Sequence, residues 1–130
     1  LMEIRGDKVE KITNVRQQVD ALLDQLACQQ PIQTHRTIIL DQAPTDMDDT
    51  VIESFKKAVP QEDHYLLMGS MAGHDATHLA SITKAGMLFV PSIGGKSHCP
   101  EEYSRIEDIE KVSNVLLQAI FDLDNILDKE

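Results

Sequence analysis

Two long stretches carry apolar residues at steps of three and four, and they constrain the fold more than any other feature of the chain. In the first, Val9, Ile12, Val15, Val19, Leu22, Leu23 and Leu26 follow at steps of three, four and, once, one, with mostly polar or charged residues between. In the second, Ile109, Val112, Leu116, Ile120, Leu123 and Leu127 repeat in the same way within Ile106–Leu127. A period near 3.6 predicts two amphipathic helices, each with an apolar stripe that needs cover. Asp7 is the expected N-cap of the first helix, with Glu10 as its capping-box partner, and Pro31 lies beyond its end.

The remainder reads as short elements between turn signals. Met2–Arg5 is partly apolar and fits the end of a strand, broken by Gly6. Thr34–Leu40 is rich in β-branched residues and predicts a strand. The polar connection Asp41–Asp49 marks a boundary. Val51, Ile52, Phe55 and Ala58 then predict a short helix stopped before Pro60. His64–Met68 reads as a strand, Gly69–Gly73 as a turn of small residues and Asp75–Ile82 as a short helix. Gly86–Val90 is a continuous apolar run ended by Pro91, the pattern of a buried strand. Strands alternating with helices predict an α/β or α+β arrangement.

Composition narrows the function classes. The 130 residues hold 12 Lys+Arg against 22 Asp+Glu, a formal net charge of −10. Without a basic block, such a chain is a poor match for nucleic acid or an anionic membrane surface. Apolar residues make up 42%, too many for a disordered chain. No apolar run approaches the roughly 20 residues that span a bilayer, and the N-terminus lacks the pattern of a signal peptide. Cys28 and Cys99 stand far apart, which suggests a reducing, cytoplasmic setting with two free thiols.

Chemistry concentrates in two loops. Gly69-Ser70-Met71-Ala72-Gly73-His74-Asp75-Ala76 joins an expected strand to an expected helix, and its small residues let backbone approach a ligand closely. His74 sits where a side chain points into such a site. Gly94-Gly95-Lys96-Ser97-His98-Cys99-Pro100-Glu101-Glu102 follows the apolar run. His98, with two carboxylates close behind, fits either a metal ligand or a hydrogen-bonded histidine at a surface turn. His74 and His78, at i and i+4, form a weaker zincin-like pair with Asp75 where that motif has Glu. Arg5 fits a carboxylate clamp or a solvated surface charge.

Taken together, Gly73-His74-Asp75-Ala76, Gly86-Met87-Leu88-Phe89-Val90-Pro91-Ser92 and Gly95-Lys96-Ser97-His98-Cys99-Pro100-Glu101-Glu102-Tyr103 resemble the C-terminal part of M20-type amidohydrolases. The branch is that of N-carbamoyl-L-amino acid hydrolases, allantoate amidohydrolases and β-alanine synthases, and order and spacing match over roughly residues 66 to 122. Met2-Glu3-Ile4-Arg5 resembles the L-D-I-R strand of that family's inserted lid, or dimerisation, domain.

The resemblance implies an α/β fold. Residues 1–40 would be the last strand-helix-strand of an α+β lid, and residues 41–130 the C-terminal half of the catalytic domain. It implies that His98 ligates one of two divalent ions, zinc or manganese. It implies that His74 and Gly73 contact substrate near the scissile group, with His74 catalytic, and that Arg5 clamps the substrate carboxylate. The expected substrate is a small N-carbamoyl or ureido carboxylate, and the expected assembly a homodimer through the lid. Glu3 replaces the usual Asp, Met71 stands where Gly is common, and Lys96 where an apolar residue is common. The family's other metal ligands and its general base match nothing in these residues, so the chain reads as a fragment that is inactive alone. The rival reading from another class is a non-catalytic α/β module that binds a partner or dimerises.

Overall fold

The computed structural model describes residues 1–127. Four α-helices and one short 3-10 turn are its regular elements: α1 (Val9–Gln29), α2 (Asp49–Ala58), α3 (Asp75–Leu79), the turn Ile93–Gly95, and α4 (Ile106–Leu127). Among the described residues there is no strand. The α/β expectation is therefore corrected: the regular structure is entirely helical. Met2–Arg5, Thr34–Leu40, His64–Met68 and Gly86–Val90, all read as strands, lie outside regular structure. The physical reason is that a strand is stabilised by a ladder to a neighbour. Composition marks a segment as β-prone, but none of these four pairs with another here. The apolar residues of Thr34–Leu40 and His64–Met68 stay exposed accordingly, with Ile39 78% and Leu66 80% accessible, whereas Met87, Leu88 and Val90 are half-buried.

The chain divides into two compact units. One is Leu1–Thr45 together with Gly69–Gly73, and the other is Asp46–Met68 together with the residues from His74 on.

In the first unit, α1 follows its predicted stripe, but its start differs from expectation. Lys8 is the N-cap, and no side chain caps the helix. Asp7 instead accepts from the Lys11 ammonium at 2.8 Å, an i,i+4 pair. That hydrogen bond holds the Asp7 carboxyl below its usual range. Arg36 pairs with Asp20 and Asp24 on α1, and Arg16 reaches Asp41 at 3.2 Å. These exposed pairs tie the segment after α1 back along the helix. Surface pairs contribute little each.

The second unit is built on α2 packed against α4. The buried residues, Ser54 on α2 and Ala119 on α4, are both small, which suits close helix approach. Ser54 Oγ donates to the Thr50 carbonyl at 3.0 Å, so its hydroxyl is satisfied. Val51, Ile52 and Phe55 of α2 and Val112, Val115 and Leu123 of α4 are half-buried. Lys111 on α4 reaches Asp63 after α2 at 2.5 Å, which raises the lysine pKa.

Asp48 organises the entrance to α2. Its side chain accepts from the Thr50 and Val51 amides at 2.9 and 3.2 Å. Its own amide donates to the Ala85 carbonyl at 2.8 Å, fixing the start of the Gly86–Val90 segment against the helix. Asp48→Ala removes the cap and is expected to cost about 1 kcal/mol, read as a lowered denaturation midpoint. An unchanged midpoint would argue that the Ala85 tether alone holds this corner.

Candidate functional site

The loop after the apolar run is the most constrained irregular segment. Ile93 N–H donates to the Tyr103 carbonyl at 2.8 Å, closing the loop at its base. Ser92 Oγ donates to the Lys96 carbonyl at 2.6 Å, and the Glu102 amide to the Cys99 carbonyl at 3.0 Å. Gly94 and Gly95 turn through positive φ of 69° and 65°, a conformation glycine adopts without steric cost.

His98 lies in the same loop at φ 56°, the sole non-glycine residue with positive φ among those described. Its amide donates to Glu102 Oε2 at 2.8 Å. The carboxylate thus grips the backbone of His98, and the residue as a whole is exposed. Nothing in the sequence singles out this contact of Glu102. Its grip on a backbone amide leaves no spacing signal by which to recognise it.

His74 is the N-cap of α3, at φ −135° and ψ 144°. Its carbonyl accepts from Thr77 Oγ1 at 2.7 Å and from the Thr77 amide at 3.0 Å. Its ring meets Phe89 edge-on, with centroids 5.5 Å apart at 64°. Such edge-to-face contact favours one ring orientation. The extended backbone of His74 also breaks the geometry of a zincin-like pair with His78, since an i,i+4 face requires both residues in the helix. The helix itself ends at Leu79, earlier than the Ile82 expected, and the Ile82 and Thr83 amides fold back onto the Leu79 carbonyl at 3.0 and 2.9 Å.

In the first unit, Arg5 meets the Gly69–Gly73 loop. Its Nη1 donates to the Met71 carbonyl at 2.5 Å, and its Nε to Glu3 Oε1 at 2.8 Å. The hydrogen bond and charge of Glu3 raise the guanidinium pKa further. At Gly73 an added Cβ would meet no atom within 4 Å. Packing within the chain therefore does not explain a glycine there.

Among the described residues, no three or more His, Cys, Asp or Glu side chains are grouped to hold a metal ion. His98 offers one imidazole, while Glu102 is engaged by a backbone amide. These residues do not by themselves fit a two-ion centre, which needs several protein donors.

Comparison with known proteins gives these sites their setting. The chain belongs to peptidase family M20/M25/M40, whose model matches residues 10–122. It is similar over 124 residues, at 26% identity, to an N-carbamoyl-L-amino-acid amidohydrolase of Paenarthrobacter aurescens, covering 95% of this chain and 30% of that protein. An allantoate amidohydrolase of Bacillus subtilis (strain 168) is 29% identical over 123 residues, covering 94% of this chain and 30% of that protein. A ureidoglycolate hydrolase of Oryza sativa subsp. japonica is 39% identical over 84 residues, covering 64% of this chain and 17% of that protein. The chain thus spans 30% or less of the length of these relatives. The names match the branch that the loop motifs resemble. No solved structure matches the chain. No helix of the described residues is long and apolar enough to cross a membrane.

Proposed function

We propose that the chain is part of a metal-dependent amidohydrolase that breaks the carbamoyl or amide C–N bond of N-carbamoyl amino acids or allantoate. The observation that carries this reading is the family match over residues 10–122, together with relatives whose names are those of this chemistry. Two divalent ions, zinc or manganese, would supply the activated water, as the family resemblance implies. The described residues hold no complete ion site, so the remaining donors and the general base would come from outside the described residues. Residues 1–40 would belong to a lid and residues 41–130 to the catalytic domain. A homodimer would form through the lid, and the two isolated thiols suit a cytoplasmic enzyme.

Each site residue has a proposed task. His98 would supply one imidazole to the metal centre from the closed 92–103 loop. Attack on the carbamoyl carbon places negative charge on its oxygen, and His74 donates a hydrogen bond to that oxygen. The Phe89 edge contact supports this task by restricting the ring. Gly73 leaves room for substrate beside the scissile group. Arg5 holds the substrate carboxylate with its fork of donors.

The test is metal content and ammonia release from N-carbamoyl amino acids and allantoate, measured on the native gene product and on the 130-residue chain in parallel. About two metal equivalents and activity in the native product, with neither in the isolated chain, are expected. Stoichiometric metal binding by the isolated chain would overturn the shared-site reading.

A further inference from the structure

We propose that Glu3 is a positioning residue for Arg5, and through it a determinant of selectivity for carboxylate substrates; this rests on the reading of Arg5 as the carboxylate clamp. Arg5 is a long side chain, 52% exposed. A freely rotating arginine must be ordered each time a ligand binds, which weakens the binding. Here two acceptors at different corners hold the planar group. Glu3 Oε1 takes Nε at 2.8 Å, and the Met71 carbonyl, 66 residues away in sequence, takes Nη1 at 2.5 Å.

Two contacts to different nitrogens fix both the position and the plane of a guanidinium. Nη2 makes no hydrogen bond among the described residues, so its donors stay available to an incoming carboxylate. A carboxylate taken up by Nη2 gains most when the guanidinium is already oriented. Glu3 therefore acts through its oxygen atom as an acceptor, and its net charge is secondary because the pair is open to solvent and screened. The Met71 contact is to backbone and survives side-chain replacement, which leaves Glu3 as the partner that mutation can remove.

The experiment compares Glu3→Ala, Glu3→Gln and Arg5→Ala in the native gene product. Each is assayed with an N-carbamoyl-L-amino acid and with its carboxamide analogue, which lacks the carboxylate. Glu3→Ala is expected to raise KM for the carboxylate substrate about 3- to 10-fold with kcat unchanged, the pattern of lost uniform binding. It should leave KM for the carboxamide unchanged. Glu3→Gln, which keeps the acceptor oxygen, should stay within about twofold of the parent. Arg5→Ala should raise KM for the carboxylate substrate more than Glu3→Ala does. If Arg5→Ala has that effect and Glu3→Ala does not, the positioning role fails while the clamp stands. If Glu3→Ala raises KM equally for both substrates, its role is general folding and the proposal falls. If Arg5→Ala leaves both KM values unchanged, the clamp fails and the role of Glu3 with it.

Discussion

Exchange of His98 for glycine is expected to abolish hydrolysis in the native gene product while making the protein more stable. The two effects have separate physical origins. His98 stands at φ 56°, where a Cβ crowds the following carbonyl at a cost of about 1–2 kcal/mol. Glycine has no Cβ and relieves that strain, but gives back about 0.5–1 kcal/mol because its unfolded chain has more freedom to lose. The net is a gain of roughly 0.5–1 kcal/mol. His98→Ala removes the same imidazole and keeps the strain, so it is not stabilised. Activity should fall in both variants by more than the 10–100-fold typical of losing an outer partner of a metal ligand, because the proposed role is that of a direct ligand. Metal content should fall in parallel. Denaturation midpoints of the two variants check the first claim, and metal analysis with turnover checks the second. A glycine variant less stable than the alanine variant would refute the strain argument. Full metal content in both would refute the ligand role. Strain held at a position that glycine could occupy is what a functional side chain leaves behind.

The helices were legible from the residues because their cause is local. Val9–Gln29, Asp49–Ala58 and Ile106–Leu127 each announce themselves by apolar spacing and a flanking polar or proline signal. The strand expectations fail because pairing is not local. Ile38, Ile39 and Leu40 have the composition of a buried strand and are exposed, since β-propensity describes fit to a neighbour that these segments do not have here. The cap of α1 failed for a smaller reason: Asp7 finds the Lys11 ammonium before any helix amide.

The candidate site shows the same division. His74, His98 and Arg5 stood out by residue type and motif. Their immediate partners did not: Phe89 beside His74, Glu102 on the His98 amide, and the Met71 carbonyl on Arg5. Two of these three contacts involve backbone atoms, which carry no residue-specific signal. Glu3, which the sequence marks only as a replacement for the usual Asp, also accepts from Arg5 Nε.

Gly86→Ala is expected to be the most destabilising conservative change in the second unit, at about 1–3 kcal/mol. An added Cβ at Gly86 would lie 2.6 Å from Val51 Cγ1, 3.0 Å from Phe55 Cε2 and 3.3 Å from Val51 Cβ. Whether this costs much depends on whether the neighbours can retreat. Val51 is β-branched and stiff at χ1, and its Cβ is fixed by the backbone of α2. Phe55 is one turn further along the same helix, so the two cannot move apart independently. Nor can the glycine segment back away easily, because the Ala85 carbonyl accepts from the Asp48 amide at 2.8 Å. The methyl is thus trapped between a tethered segment and the first turns of a helix that packs on α4. Alanine would gain some stability from a stiffer unfolded chain, up to about 1 kcal/mol, which does not offset the clash. A double-mutant cycle isolates the contact. Val51→Ala alone loses packing, but combined with Gly86→Ala it makes room for the new methyl. The pair should therefore be less damaging than the sum of the singles by about 1 kcal/mol or more. Additive costs, or a neutral Gly86→Ala, would mean that the Gly86–Val90 segment is free to shift away from α2, and that its contact with Val51 does not hold it in place.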